Sequence, residues 1–256
     1  MCQLLAVFRL FSRCSLSSRA TEQRLSERRA RSGARLKPGV RPHSSNMPES
    51  IPPAVFTPDN EPYLGGTQVH NFDLSIPRAL RVHAEIGPRT FAQSLTPIQK
   101  AAVEIIPQGV SIALSIRELV RQAYLYSAAI LLRPLVERTG MIQYLAMHPE
   151  AVNSWHTGWS RKSQPEFKTL VALVMPDAST VEHELTKDML HKLMHSDPKG
   201  ALFNMFTTAD GSFAHASGKL LGQPEKAEVV CVLACHCLRR LTATSVLVFG
   251  HEKYAV

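Results

Sequence analysis

Four side chains able to hold a metal or move a proton fall within one short stretch: Glu184, Asp188, His191 and His195, at i, i+4, i+7 and i+11. At about 100° per helical residue this spacing draws them into one stripe. Carboxylate and imidazole are the ligand types of zinc, manganese and iron, so the stripe is one candidate for a metal-dependent enzyme. Leu185, Met189, Leu190, Leu193 and Met194 cover the opposite half of the same helix. Metal sites in helical bundles draw their ligands from several helices onto a shared interior. A stripe facing away from the apolar half reads more simply as a solvated face, with Asp188 and Lys192 as an i, i+4 ion pair, and no metal or cofactor is expected. His195 differs from His191. It sits at the helix end, before the breaker cluster Ser196-Asp197-Pro198-Lys199-Gly200, where a protonated imidazole interacts favourably with the terminal carbonyls.

Arg133 and Glu137 form a second candidate. They are four apart, on the side of a long apolar helix that also carries Leu119, Tyr126 and Ile130. A charge among apolar neighbours must be paired, and this spacing supplies the pair. One reading is a structural ion pair that fixes how helices dock. The other is a polar centre shared with His195, giving His195, Arg133 and Glu137 as the candidate catalytic set. A third cluster, Cys231, Cys235, His236 and Cys237, lacks the four convergent ligands of a closed zinc site. Its cysteines read as buried, small apolar residues. His183-Glu184 does not continue into H-E-x-x-H, and there is no phosphate-cradling glycine loop or nucleophile elbow.

These groups must be placed by helices. Thr96 and Pro97 open a helix whose apolar stripe is Ile98, Ala101, Ala102 and Ile105, and Pro107 and Gly109 are expected to end it. A long buried helix is then expected from about Ser111 to His148, kinked at Pro134, which removes the hydrogen bond to the carbonyl of Ile130. A short helix or turn carries Trp155 and Trp159, and another helix spans about 166–174. Ser179-x-x-Glu182 is a capping box that starts the histidine helix. "ALFNMF" reads as a short helix, and the last long helix runs from Pro224 to a Gly250 cap. That helix is a poor membrane span, because Arg239 and Arg240 at mid-bilayer would cost roughly 2.5–3.5 kcal/mol each. No strand pattern of similar strength is present. The expectation is an all-α helical bundle over 96–256, with a Pro-rich extended arm over 47–95 that has room for one short helix near residues 79–85.

Charge is distributed unevenly. Residues 1–46 hold ten of the 29 basic and two of the 21 acidic side chains, so residues 47–256 balance at 19 of each. The basic pI belongs to the tail, and RNA binding by the folded part loses its electrostatic support. The tail is Arg- and Ser-rich, which suits either a disordered segment ahead of a functional start at Met47 or an organellar transit peptide. The first implies a cytoplasmic protein, the second a mitochondrial one.

The order "AAILLRPLVERTGMIQYLAMHP", "W…GWSRKSQPEFKTLVALV", "LHKLMHSDPKG", then a long apolar helix, resembles a family of uncharacterised, mostly bacterial all-helical proteins distantly similar to HEPN domains (the nucleotide-binding helical bundles of higher eukaryotes and prokaryotes). The resemblance covers about 101–249. It implies that Arg133 and Glu137 face a helix ending at His195. Catalytic HEPN relatives are metal-independent ribonucleases with Arg-x4–6-His late in the domain, and no Arg precedes His195 at that distance. The literal match, Arg78 to His83, falls in the Pro-rich arm. What the resemblance implies is a non-catalytic module for a protein or small-ligand partner, possible as a homodimer, in a bacterial stress or defence setting. The alternative is a ribonuclease using His195, with Arg133 or Lys192 on the phosphate.

Overall fold

The computed structural model describes Tyr63 and residues 65–250, apart from 93, 161–162 and 196. The basic tail, and the part of the expected arm before Tyr63, lie outside the described residues. Among the described residues nine helices follow in order: α1 (Thr67–Ala92), α2 (Pro97–Arg121), α3 (Leu125–Ile130), α4 (Leu132–Met147), α5 (Ala151–His156), α6 (Phe167–Val174), α7 (Thr180–Met194), α8 (Pro198–Ala201) and α9 (Pro224–Phe249). A 3-10 turn, Leu202–Asn204, and a two-stranded antiparallel ribbon, β1 (Met205–Thr207) and β2 (Phe213–His215), separate α8 from α9. The chain is an all-α bundle, as its patterning requires.

α9 is the core helix. An unbroken run from Val229 to Cys235 is buried, and α1, α2 and α4 all pack against it. It is long and apolar enough to cross a membrane, but 78% of its apolar window is buried inside the fold. Gly250 ends it at φ 68, the left-handed conformation that glycine adopts without a Cβ penalty.

α1 corrects the extended arm. Thr67–Ala92 is one helix, with Pro77 and Pro88 inside it. Val69, Phe72, Ile76, Ala79, Val82 and Ile86 follow a 3.6-residue period and are all buried. Each internal proline costs about 3 kcal/mol, whereas burying each of the five larger side chains contributes about 1.5–3 kcal/mol. The stripe outweighs the prolines. Glu228 of α9 caps the start of α1, accepting the Gln68 amide at 2.9 Å.

α2 begins with the expected Thr96 cap, reinforced by Gln99, but it passes straight through Pro107 and Gly109. Gly109 instead lets α9 come close: a Cβ there would lie 2.6 Å from Leu241 Cδ1. The helix stops at Ala123, φ 64, where the Tyr124 amide reaches the Leu119 carbonyl at 2.8 Å and the Ala123 amide reaches Val120 at 3.0 Å. This is a Schellman cap with alanine in the usual glycine position. The expected single long helix is therefore three pieces: the second half of α2, then α3 and α4. The α3–α4 break at Leu131 falls beside Pro134, which has no amide to offer Ile130.

Ser179 and Glu182 form the expected capping box of α7. The "ALFNMF" helix is corrected: helical structure ends at Asn204, and Met205 opens β1.

Candidate functional site

Three helices converge on Arg133. Its Nε donates to Glu137 Oε1 at 3.1 Å along α4. Its Nη1 meets His191 Nδ1 of α7 at 3.2 Å. Its guanidinium carbon lies 4.6 Å from the ring centroid of Phe167 on α6, a cation–π contact. His195 packs against His191 with ring centroids 4.3 Å apart and the planes tilted by 41°. Arg133, Glu137, His191 and His195 therefore form one connected cluster.

Two expectations change here. Arg133 and Glu137 are not enclosed by apolar neighbours: their side chains are 20% and 37% exposed, so the pair is a rim feature. The roles of the histidines are also exchanged. His191 lies on the exposed face as expected, yet it is the ring that touches Arg133, while His195 reaches the arginine only through His191. His195 is the C-cap of α7, its amide bonded to the His191 carbonyl at 3.1 Å.

The local fold explains this placement. Gly140 of α4 allows α6 to pass close, because a Cβ there would sit 2.6–2.8 Å from Leu170 Cβ, carbonyl oxygen and Cα. That approach carries Phe167 under Arg133. α3 holds α7 through the Tyr126 hydroxyl, which donates to the Leu193 carbonyl at 3.4 Å. After His195, Asp197 caps α8 by accepting the Lys199 amide at 2.7 Å, and Gly200 packs directly on the Lys192 carbonyl.

No protein-family model, curated protein or solved structure matches this chain. The site is therefore read from its own geometry.

The metal stripe does not converge. Glu184 is held between Lys168 of α6 at 2.5 Å and Lys187 at 2.7 Å. Those hydrogen bonds, from Lys168 first and then Lys187, lower its carboxyl to about 2. Asp188 pairs with Lys192. Among the described residues no group of three or more His, Cys, Asp or Glu side chains is placed to hold a metal ion. Two of the four proposed ligands thus serve lysines instead.

The cysteines of α9 are free and buried, as the spacing suggested. Burial raises all three thiols, Cys237 up to about 12. Arg78 and His83 fall on α1 with opposite surroundings: Arg78 is exposed, while His83 Nε2 is buried and meets no partner among the described residues.

Sequence reasoning missed Phe167 and Lys168, which reach the site from α6. It also missed the most enclosed charge among the described residues. Arg117 of α2 is 1% exposed and grips Asp73 of α1 through two nitrogens, Nη2 to Oδ2 at 3.0 Å and Nε to Oδ1. The signal was a lone arginine on an otherwise apolar face between Ala113, Ile116 and Val120.

Proposed function

We propose that this chain is a non-catalytic helical-bundle module that binds a partner protein or small ligand through the Arg133–His191–His195 cluster. The observation that carries this reading is the mounting of Arg133. A guanidinium held by a carboxylate, an imidazole and an aromatic ring has lost most of its conformational freedom, yet it remains at the surface. A side chain ordered in advance binds with less entropic cost than a free one. It presents five N–H donors, and the two hydrogen bonds described use only part of that capacity.

One observation favours a second reading. Two adjacent imidazoles beside a guanidinium are groups that can transfer protons and stabilise a pentavalent phosphate, which would serve a ribonuclease with His195 as acid or base. Against it stand the charge balance of residues 47–256 and the absence of Arg-x4–6-His at His195. Incubating the purified chain with single-stranded RNA and a chelator separates the two. Intact RNA at high protein concentration supports a binding module; cleavage that disappears in His195→Ala establishes the ribonuclease.

A further inference from the structure

The contact between Arg133 and His191 fixes more than a distance. A guanidinium has donors and no acceptor, so the 3.2 Å contact to Nδ1 requires that nitrogen to accept. The ring hydrogen of His191 must then sit on Nε2. In this tautomer the free edge of the imidazole is a donor. The ring has no lone pair left for a metal, and none for taking a proton from a substrate.

The surrounding charges have the same sign bias. Arg133, Arg138, Lys168, Lys187 and Lys192 lie on the three helices that build the cluster, against Glu137, Glu166, Glu184 and Asp188. Glu137, Glu184 and Asp188 each lie against at least one cation, and the five cations outnumber the four carboxylates. The patch therefore combines the remaining Arg133 donors, the His191 Nε2–H and the adjacent His195 ring with a local excess of positive charge.

From this we infer that the Arg133–His191–His195 patch is a donor-rich receptor for a phosphate monoester, carried by a small molecule or by a phosphorylated side chain. The inference rests on the binding-module reading and specifies its ligand. A phosphate monoester brings about two negative charges near neutral pH and three terminal acceptor oxygens. A carboxylate offers one charge and two oxygens, and a phosphodiester one charge spread along a chain. The monoester therefore gains the most from a patch rich in donors and positive charge. Arg133 is the anchor, since a guanidinium edge meets two phosphate oxygens at once. His191 is the second donor, oriented by Arg133.

Long-range proton–nitrogen spectra of the histidine rings in the full-length, isotope-labelled chain at about pH 7.5, above the ordinary histidine range, test this directly. The expected result has His191 in the Nε2–H form, with its ring signals moving saturably on addition of inorganic phosphate or O-phosphoserine and at least tenfold less with acetate. A response to both phosphates means that the group alone is recognised; a response only to O-phosphoserine identifies the phosphorylated side chain. His191→Asn keeps an acceptor near the Nδ1 position and removes the outward donor, so the variant should fold with Arg133 in place and lose the phosphate-induced shift read at the neighbouring His195 ring. Arg133→Met should lose both the response and the fixed tautomer. An Nδ1–H tautomer in the wild type, equal responses to acetate and phosphate, or no response to either phosphate would overturn the inference. In the first two cases the binding module still stands. It falls separately if RNA is cleaved and His195→Ala abolishes the cleavage.

Discussion

Arg133 and Arg117 show two different uses of the same side chain. Arg133 is partly exposed, so water screens its pair with Glu137, and the contact contributes at most about 1 kcal/mol to stability. Its value is positional. Arg117 is enclosed, and losing the Asp73 carboxylate removes a charge that offsets the buried guanidinium. Asp73→Ala should therefore destabilise the chain by about 3–5 kcal/mol in urea unfolding, whereas replacing both partners by Leu and Met should restore most of that loss. A cost below that of Glu137→Ala would show that Asp73 is not the partner that matters. Spacing alone revealed Arg133 with Glu137, because both lie on one helix. It could not reveal Asp73 with Arg117, which are 44 positions apart on different helices. Nor could it choose between His191 and His195 as the partner of Arg133. That choice depends on how α7 crosses α4, a quantity that no single helix contains.

At the scale of elements, starts were easier to read than stops. The Thr96 and Ser179 caps and the Gly250 terminus are local chemistry, and each appears where its residues lie. Prolines misled the reading because their cost is local while their compensation is tertiary. Pro77 and Pro88 sit in α1, and Pro107 sits in α2, with buried stripes on both helices. Alanine in the left-handed turn at Ala123 hid a real stop, since glycine is the usual signal. The α4–α6 crossing depends on Gly140 and controls the site at a distance. Gly140→Ala must push Leu170 backbone away, at about 1–3 kcal/mol for overpacking. Moving α6 also withdraws Phe167 from Arg133. Thermal unfolding should show the loss of stability, and phosphate affinity should fall although no residue of the patch has changed. An unaltered melting temperature would mean that α6 is not held against α4 as described.

Over the whole molecule, the pH response follows from two histidines that the fold shields. Burial lowers His83, and burial followed by Arg239 and Arg240 lowers His236, both from an ordinary value of 6.5. A lowered histidine resists protonation in the native state, so below about pH 6.5 the unfolded chain binds more protons than the folded one. Their contribution to stability is thus complete above that pH and declines as pH falls through it. Melting temperature should drop between pH 7.5 and pH 5.5, values chosen about one unit either side of the histidine range. His83→Leu should make that drop shallower; an unchanged slope would place the loss elsewhere. The fold as a class was legible because its stripes are long and periodic. The site was legible only in part, because it is assembled from α4, α6 and α7, each contributing a fragment without meaning on its own. The most direct measurement of what that assembly does is a calorimetric titration of O-phosphoserine into the full chain and into its Arg133→Met variant. Saturable heat in the wild type, lost in the variant, is the predicted result; equal heats in the two proteins, or none in either, would contradict it.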